Sequence, residues 1–538
     1  MLDAATGKVA AEYKRAPQSD DGIQRRWGYV AHHDGVLYGT RTIHGELAAA
    51  ARRRGRTVNS ETDAIFAVDV KTGERLWTYQ GPNIMHVTIT IGDGVMRFVE
   101  STISREEREA LLRQDKTELK NLPPEEAKKK RGGAQAAGRS HSRCGSDART
   151  GKERWRKAID VTDCIGVSAG GGNLTLMYRD DHLLICGANA NGHYWRQFLS
   201  GEFSQRRLVV LDTKDGQKLW SRDANYMNRP TIVDDMVVAE PWAFELHSGE
   251  PRKRQNPLTG VESDWQFSRP GHHCGVVTAT PNMMFFRSGF IGYYDLYADS
   301  GTKHFSGQRL GCWVNAIPSN GLVVIPEASA GCVCLFSITS TVVLEPREDR
   351  SPAWGIYSLA GPITPVRRLA VNFGAPGDRR DSFDRLWLAY PRPTAVGRME
   401  FVFDVKPQLA AGGKYAAQND ESAEIAGADV PWIYASQATG LNRFELPLIG
   451  KDEPAAAYTV KLHFAEPDDS VKPGERLFDV KLQGETVAQG IDVATEAGGA
   501  KRALTRTFSG VHVTGNLVVE LPAKAGLSLL SAIEVERE

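Results

Sequence analysis

Short apolar runs separated by glycine, proline, asparagine and aspartate recur along most of the chain. From Arg367 onward, runs such as LAVNF, MEFVFDV and YTVKLHFAE alternate apolar and polar positions with a period of two, which is typical of β-strands. Turn-forming residues separate the runs, so the strands are short and the turns tight. The pattern predicts an all-β protein in which residues 367–538 form one β-sandwich.

A repeat occupies the first part of the chain. Residues 2–13, 67–79, 146–157 and 210–222 share an aspartate and a turn that ends in glycine, and the last three also carry a tryptophan. Glycine tolerates the positive φ that such a turn needs, and the tryptophan would lie on the returning strand. Residues 244–255 and 294–305 look like weaker copies. The turn glycines are Gly7, Gly73, Gly151 and Gly216, and the tryptophans are Trp77, Trp155 and Trp220.

Repeated units that cannot bury a face alone stack on their neighbours, and the spacing here fits blades of roughly 40 residues with insertions. The units resemble the blades of quinoprotein-like (pyrroloquinoline-quinone-type, PQQ) β-propellers, and segments 186–212, 269–287 and 309–337 resemble a bacterial subgroup of that family. The resemblance implies a propeller of about 7–8 blades over residues 1–346. It also implies PQQ and Ca²⁺ as cofactors, although the vicinal cysteine pair and the haem of quinone enzymes have no counterpart in this sequence.

Two segments interrupt this plan. Residues from about 104 to 139 are dense in charge, and a solvated loop excursion is favoured there over a lid or docking arm. Within it, Glu106 to Leu119 could form a helix that ends before Pro123. Four prolines between positions 346 and 366 predict a linker over residues 347–366.

The order of the strand-like runs in the C-terminal region resembles the malectin-like domain. The runs that carry the resemblance are residues 458–466, 474–493, 496–499, 515–521 and 531–536. The resemblance implies a jelly-roll sandwich over residues 367–538 that binds carbohydrate, although a domain that kept the fold and lost the ligand is an equal alternative. The candidate sugar contacts are Trp387, Tyr390, Trp432, Tyr434 and Phe464, with Asp384 and Asp492.

Charge and cysteine content narrow the class of partner. The 66 Lys and Arg balance the 66 Asp and Glu, which argues against nucleic acid or an anionic membrane as the main partner. No apolar run approaches the ~20 residues of a membrane span. Seven cysteines leave at least one without an intrachain partner, and one or two disulfides would fit an oxidising compartment.

The start of the chain shows no signal-peptide pattern, and its first residues already belong to the repeat. We therefore expect that the sequence begins inside a domain. The family resemblance implies a periplasmic or extracellular protein.

The stretch from Ser268 to Tyr297 concentrates histidine, cysteine, arginine and tyrosine between short predicted strands, and residues 188–196 and 225–229 have a similar character. Loops from successive propeller blades converge on one mouth of the central channel, so we predict that these segments line one pocket, around a polysaccharide or another glycan. The residues predicted to act there are His193, Tyr226, Arg229, His272, His273, Arg287, Tyr293 and Tyr294.

This set of side chains suits β-elimination on a uronic-acid sugar. His272 or His273 would take the proton from C5. One of three tyrosines, Tyr226, Tyr293 or Tyr294, would protonate the leaving oxygen. The same side chains could instead line a glycan pocket without catalysis.

Positive charge in the pocket has a separate role. Arg229 or Arg287 would neutralise the sugar carboxylate and the charge that develops on it. His272, His273 and Cys274 could also bind a transition metal, but adjacent side chains on a strand point to opposite faces. The sequence therefore leaves open whether a metal binds here and which metal it would be.

Three classes of function remain open. The chain could be a propeller that acts on a polysaccharide as a lyase, a carbohydrate-binding scaffold without activity, or a PQQ-dependent dehydrogenase of sugars or alcohols. Motifs of serine hydrolases, zinc proteases and phosphate loops are absent from the sequence, so none of those chemistries is expected.

Overall fold

The computed structural model describes most of the chain, with gaps. The described residues are 2–3, 5–13, 25–42, 61–100, 123, 143–161, 164, 173–188, 198, 200–201, 206–226, 228–271, 275–305, 309–311, 315–327, 340–347, 353–392 and 403–538. The insertion predicted at about 104–139 lies outside them except for Pro123.

Within these residues the prediction of an all-β protein is confirmed. The described helical segments are short: two 3₁₀ turns at His86–Thr88 and Pro431–Tyr434, and one α-helix, α1, at Val493–Ala497. No helix in the described ranges combines the length and the apolar character that crossing a lipid bilayer requires.

The chain divides into two compact units. The first unit contains Met1–Ala239 and Phe244–Glu250, and the second contains Glu240–Ala243 and Pro251–Glu538.

Three consecutive four-stranded antiparallel sheets make up most of the described first unit. In each of them the strands pair in the order in which they occur along the chain. The first sheet contains β1 (Trp27–His33), β2 (Val36–Arg41), β3 (Glu61–Asp69) and β4 (Arg75–Met85). The second contains β5 (Thr90–Gly92), β6 (Val95–Val99), β7 (Arg143–Asp147) and β8 (Glu153–Lys157). The third contains β9 (Asn173–Arg179), β10 (His182–Ala188), β11 (Arg207–Asp212) and β12 (Lys218–Asp223).

A fourth sheet of three strands follows, and the division between the units passes through its last strand. Its strands are β13 (Thr231–Val233), β14 (Met236–Ala239) and β15 (Trp242–Glu245).

The second unit begins with smaller antiparallel sheets. One is a hairpin of β16 (Lys253–Gln255) and β17 (Glu262–Asp264). The next contains β18 (Thr278–Ala279), β19 (Met283–Ser288), β20 (Phe290–Asp295), β21 (Thr302–Phe305) and β25 (Gly355–Ile356). A third contains β22 (Ile317–Ser319), β23 (Leu322–Ile325) and β24 (Val342–Leu344).

Two larger sheets complete the second unit. The six-stranded sheet has the order β27-β28-β26-β38-β31-β34, and β26 and β28 are parallel. Its strands are β26 (Arg368–Phe373), β27 (Arg379–Arg380), β28 (Leu386–Tyr390), β31 (Ala456–Phe464), β34 (Leu504–Val513) and β38 (Ala532–Arg537). The other sheet has the order β29-β30-β35-β32-β33, with β36 beside β32 and β37 beside β30. Its strands are β29 (Gln408–Ala417), β30 (Ser436–Pro447), β32 (Leu477–Leu482), β33 (Glu485–Ile491), β35 (Asn516–Glu520), β36 (Ala523–Ala525) and β37 (Leu529–Leu530).

One hydrophobic core lies between these two sheets. On β31, Tyr458, Val460 and Leu462 enter this core, while Thr459 and Lys461 point to the opposite face. The alternation is the period of two that the sequence displays, because successive side chains of a strand point to opposite faces. The two sheets thus form a sandwich.

A residue outside the sandwich strands completes that core. Leu258 is buried within it, and its carbonyl oxygen accepts hydrogen bonds from the N–H groups of Arg367 (2.7 Å) and Arg368 (3.0 Å). The side-chain amide of Asn256 also donates to the carbonyl of Pro362 (2.9 Å). The loop around Leu258 is therefore part of the packed sandwich.

The predicted turns are confirmed, and they share one hydrogen-bonding plan. In the turn from Asp147 to Gly151, the carboxylate accepts from the N–H and the hydroxyl of Thr150, and the glycine N–H donates to the aspartate carbonyl (2.8 Å). Gly151 has a φ of +70°, which glycine adopts without strain. The same closing bond is present at Asp3–Gly7, Asp69–Gly73, Asp212–Gly216, Glu245–Gly249, Asn256–Gly260 and Asp295–Asp299. The copy at Asn256–Gly260 was not predicted.

In the first unit, each repeat tryptophan docks on the turn of the following sheet. Trp77 donates its indole N–H to the carbonyl of Ala148 (2.9 Å), and its ring covers Gly151. Trp155 repeats this contact with Thr213 (3.0 Å) and Gly216, and Trp220 repeats it with Leu246 (2.8 Å) and Gly249. Consecutive sheets are therefore joined by one recurring contact.

The docking contact predicts a difference between two otherwise equivalent glycines. A Cβ on Gly151 would stand 2.7 Å from the Trp77 ring, whereas no heavy atom of the described residues lies within 4 Å of a Cβ on Gly73. Both turns require a positive φ, so Gly73→Ala should lower the free energy of unfolding by about 1 kcal/mol. Gly151→Ala should lower the free energy of unfolding by about 1–3 kcal/mol more than Gly73→Ala does, because the indole of Trp77 must move. Urea unfolding measures both, and an equal loss would contradict the docking.

Buried histidines predict a second property, the acid sensitivity of the first unit. His86 lies within 2.8 Å of the Thr40 hydroxyl, and burial lowers the pKa of His86 to about 4. Burial also lowers the pKa of His182. Because the unfolded chain binds protons at the ordinary pKa of about 6.5, it is more protonated than the folded chain between these values, and stability falls as the pH falls through that window.

When the pH falls from 8 to 5, protonation linked to His86 alone should lower the free energy of unfolding by about 2 kcal/mol. His86→Gln removes the ionisable group and should flatten this pH dependence, which urea unfolding at both pH values measures. The matched control is His32→Gln, which replaces an exposed histidine on β1. A slope that is the same for both variants would assign the acid sensitivity to other groups.

Candidate functional site

The outer face of the six-stranded sheet carries an aromatic cluster. On β26 and β38 the outward residues Ala370 and Ala532 are small, and Trp387 of β28 packs beside them. The 3₁₀ turn Pro431–Tyr434 brings Trp432 and Tyr434 onto the same cluster. Small side chains on the strands thus leave room for large rings above them.

A chain of hydrogen bonds holds Tyr434 in place. Its hydroxyl lies 2.9 Å from Nδ1 of His463 and 3.1 Å from the hydroxyl of Thr505, and Nε2 of His463 lies 3.0 Å from a carboxylate oxygen of Glu534. Because a carboxylate accepts, Nε2 carries the proton and Nδ1 accepts from Tyr434. This arrangement fixes the tautomer of His463.

Glu534 is surrounded by donors. Burial favours its neutral form, but the hydrogen bond from His463 and the positive charges of Arg385 and Lys461 hold the pKa of Glu534 below its ordinary value. Arg385 pairs directly with the same carboxylate. The group is therefore an ionised anchor under the aromatic cluster.

The partly exposed edge of the cluster consists of Trp354, Arg379, Asp420 and Trp432, here named the Trp354–Trp432 wall. The two indole rings lie edge to face with centroids 5.4 Å apart. The guanidinium carbon of Arg379 lies 3.6 Å from the Trp354 centroid and 4.9 Å from that of Trp432. Arg379 also donates to the carboxylate of Asp420 (2.8 Å). Cation–π contacts and a salt bridge therefore fix both rings in orientation.

The five predicted sugar contacts separate by burial. Trp432 and Tyr390 are half-buried, whereas Trp387 and Tyr434 are buried in the outer-face cluster. Phe464 is fully buried in the core between the sheets, with its ring centroid 5.7 Å from that of Phe478. The last three offer no open ring face to a ligand in this structure, because each is covered by its packing neighbours.

Tyr390 and the two candidate aspartates have other surroundings. Tyr390 packs against Phe373 and Tyr415, away from Trp432. The carboxylate of Asp492 caps the helix α1, since it accepts from the N–H of Thr495 (3.1 Å). Asp384 is exposed on a loop with a φ of +62°.

Sequence reasoning missed three members of the wall. Trp354 lies in the segment predicted as a linker, and Arg379 and Asp420 follow no strand periodicity. The sequence around Arg379 offers one local feature, the adjacent pair Arg379–Arg380, and these two residues form the short strand β27.

Two candidate catalytic residues lie in the first unit. Tyr226 is fully buried, and its hydroxyl accepts from the N–H of Gly187 (3.2 Å). Burial raises the pKa of Tyr226 well above its ordinary value, which opposes a role as a proton donor. Arg229 is half-buried.

Three other candidates lie in the second unit. Arg287 and Tyr294 are buried, and Tyr293 is half-buried with its ring stacked 4.4 Å from Phe305. The hydroxyl of Tyr294 donates to the carboxylate of Asp299, and burial raises the pKa of Tyr294 well above its ordinary value. Burial therefore closes the Tyr294 phenol to a substrate in this structure, whereas Tyr293 is only partly covered.

The remaining candidates, His193, His272 and His273, lie outside the described residues, as does Cys274. The hypothesis that all these groups line one pocket therefore stays a prediction. Nearby, Arg269 is fully buried and donates to both carboxylate oxygens of Glu240 (2.9 Å each), so it anchors the start of this motif.

The described side chains bear on the cofactors that the propeller resemblance implies. Among them, no group of three or more His, Cys, Asp or Glu residues is arranged to hold a metal ion such as Ca²⁺. Cys164 and Cys186 are buried and are not adjacent in sequence. The described part of the chain therefore does not fit PQQ with its calcium ion.

Comparison with known proteins bears on the sandwich. The family model of the malectin domain, a carbohydrate-binding kind of domain, matches residues 396–529. Receptor-like protein 4 of Arabidopsis thaliana is 40% identical over 88 residues, which cover 15% of this chain and 14% of that protein. The nodulation receptor kinase of Pisum sativum is 28% identical over 160 residues, which cover 29% of this chain and 15% of that protein. The chain thus spans a small part of the length of these relatives.

Solved structures give weaker likenesses. A β-glucuronidase of Bacteroides uniformis has a TM-score of 0.27 at 12% identity, over 62% of this chain and 27% of that chain. The ANXUR2 extracellular domain of Arabidopsis thaliana has a TM-score of 0.25 at 13% identity, over 31% of this chain and 48% of that chain. At such scores neither likeness carries a conclusion about function.

The hydrogen-bond chain of Tyr434 predicts a stability effect. Tyr434→Phe should lower the free energy of unfolding by about 1–2 kcal/mol, because the buried Nδ1 of His463 loses its closest donor. The exposed Tyr297 supplies the matched control, since Tyr297→Phe removes a hydroxyl that faces solvent and should change stability by less than about 0.5 kcal/mol. Thermal or urea unfolding distinguishes the two, and equal effects would mean that the chain to Glu534 contributes nothing.

Proposed function

We propose that the chain is a carbohydrate-binding protein whose sandwich holds a glycan at the Trp354–Trp432 wall. One observation carries this proposal: the segment that matches the malectin domain, residues 396–529, contains Trp432 and Asp420 of the wall, whereas Trp354 and Arg379 precede that segment. An ordered, partly exposed tryptophan on this sandwich offers a ring surface on which a sugar ring can stack.

The chemistry of the wall supports the proposal. The C–H face of a pyranose stacks on an aromatic ring through dispersion and apolar burial. The sugar hydroxyls need polar groups beside the rings, and the partly exposed carboxylate of Asp420 supplies an acceptor there, while the buried Arg379 orients it. Because the salt bridge and the second indole fix Arg379, the site is ordered before a ligand arrives, which limits the entropy lost on binding.

We also propose a more specific fold for each part of the chain. The four-stranded meanders of the first unit and their repeated tryptophan–turn contact support blades of a quinoprotein-like β-propeller, and the two-sheet sandwich supports a jelly roll. The receptor-like relatives support an extracytoplasmic location. The natural ligand would then be a polysaccharide or another extracellular glycan.

Binding without catalysis is the better supported form of this function. Tyr226, Tyr294 and Arg287 are buried, and the three histidines lie outside the described residues. Lyase chemistry on uronic-acid sugars therefore stays a prediction of the sequence alone. No step through PQQ follows from the described residues.

The test is glycan binding by the complete chain, because Leu258 belongs to the sandwich core and residues 367–538 alone would lack it. Immobilised hexasaccharides of cellulose, mannan, xylan and polygalacturonate provide the probes. Trp432→Ala should raise the Kd for the bound probe about tenfold, since it removes the stacking face. Trp432→Phe should retain part of the affinity.

Leu409→Ala is the control for this test, because Leu409 is an exposed apolar residue on the other sheet of the sandwich. It should leave the Kd unchanged. Absence of binding to every probe, or binding that survives Trp432→Ala with a folded protein, would refute the proposed site.

A further inference from the structure

Two aromatic rings in the second unit are exposed to an unusual degree. Tyr297 is 82% exposed and Phe383 is 66% exposed. Rings of this size normally bury much of their surface, so two such rings on ordered loops are a candidate contact surface.

The turn that carries Tyr297 is fixed from below. The carboxylate of Asp295 accepts from the N–H groups of Tyr297 (2.9 Å) and Ala298 (3.0 Å), and Asp299 closes the turn with a φ of +39°. The carboxylate of Asp299 pairs with the buried guanidinium of Arg254 (3.0 Å). The ring of Tyr297 therefore projects from a rigid backbone.

The loop that carries Phe383 is fixed in a similar way. One carboxylate oxygen of Asp381 accepts from the N–H groups of Phe383 (2.9 Å) and Arg385 (2.9 Å). The other oxygen accepts from the indole N–H of Trp387 (2.8 Å). The backbone of this loop thus does not depend on the Phe383 ring.

One side chain joins the two loops. Arg380 donates to the carbonyl oxygen of Asp299 from Nε and Nη2 (3.3 Å each), and from Nη1 to the carbonyl oxygen of Asp384 (3.0 Å). Tyr297 and Phe383 are therefore held on neighbouring loops, each within two residues of an atom that Arg380 contacts. Tyr297, Arg380, Phe383 and Asp384 are named the loop platform.

The size of the platform selects the kind of partner. Two rings can bury at most a few hundred Å², since an aromatic side chain covers about 150–250 Å². A stable protein interface needs about 800 Å² on each side, so the two rings alone are too small for a second protein. They match one or two sugar rings.

The polar groups of the platform fit the same ligand. The carboxylate of Asp384 is 89% exposed beside Phe383 and carries one hydrogen bond from Arg380 (3.3 Å), which leaves acceptor capacity for sugar hydroxyls. The apolar face of a sugar can stack on the rings of Tyr297 and Phe383, and its hydroxyl groups can donate to the carboxylate of Asp384.

We infer that the loop platform is a second saccharide-binding subsite, in which Tyr297 and Phe383 stack on sugar rings and Asp384 accepts hydrogen bonds from hydroxyls. The inference rests on the proposed function and extends it to residues outside the segment that matches the malectin domain. Arg379 and Arg380 are adjacent, so one short strand carries residues of both the wall and the platform.

Ring removal tests the subsite. With the complete chain and the same hexasaccharides free in solution, Tyr297→Ala and Phe383→Ala should each raise the Kd about tenfold, measured by isothermal titration. Tyr297→Phe and Phe383→Tyr retain a ring and should retain the affinity. Because the loops are held by Asp295 and Asp381, all four variants should keep the unfolding midpoint of the parent chain.

The outcomes separate the two proposals. A Kd that rises for Trp432→Ala but is unchanged for Tyr297→Ala and Phe383→Ala would overturn the platform and leave the wall. A Kd that rises for the platform variants alone would support the platform and refute the wall. No binding of any probe by the parent chain would overturn both. If Tyr297→Ala and Phe383→Ala abolish self-association of the chain and leave glycan binding intact, the rings contact a second copy of this chain. That result would overturn the saccharide subsite.

Discussion

The carboxylate of Asp299 is the anchor on which the surface of the second unit depends. It accepts from the buried Arg254 and from Tyr294, and the backbone carbonyl of the same residue accepts from Arg380. Charge-assisted hydrogen bonds in a buried setting are strong and geometrically specific, so this residue fixes the turn around Tyr297 and the position of Arg380 together. A buried ion pair of this kind is costly to break from one side, because the partner left behind remains buried and charged. The surface geometry proposed to bind sugar is therefore set from inside the unit.

Much of the fold could be predicted from the sequence because its turns are local. The aspartate and the glycine of Asp147–Gly151 lie within five positions, and both the hydrogen bonds and the positive φ follow from those residues alone. The copy at Asn256–Gly260 escaped prediction because asparagine replaces aspartate and the next tryptophan, Trp265, stands five positions after the glycine instead of four. The partners of Trp77 could not be predicted, since Ala148 and Gly151 lie far away in sequence and only the packing of consecutive sheets brings them to the indole.

The candidate sites were less predictable because residue type does not reveal which face of a sheet a side chain occupies. Phe464 and His463 are adjacent on β31, yet Phe464 enters the core between the sheets while His463 joins the outer-face cluster. A shift of one position would exchange these roles. Tyr294 carries the chemistry of an acid catalyst, but burial beside Asp299 gives it a structural task. Trp354 was assigned to a linker by its proline-rich surroundings, and only tertiary packing shows that its ring covers Arg379.

Burial does not remove Trp387 from the function of the sandwich. Its indole N–H binds one oxygen of Asp381, and the other oxygen of that carboxylate holds the N–H groups of Phe383 and Arg385. Trp387 also packs against Trp432, with ring centroids 6.1 Å apart. One buried ring thus supports both proposed surfaces, Trp432 by direct packing and Phe383 through a shared carboxylate. The aromatic residue that the sequence nominated as a sugar contact is therefore better placed as a positioning residue, and an ordered binding surface needs such a support as much as it needs the rings that meet the ligand.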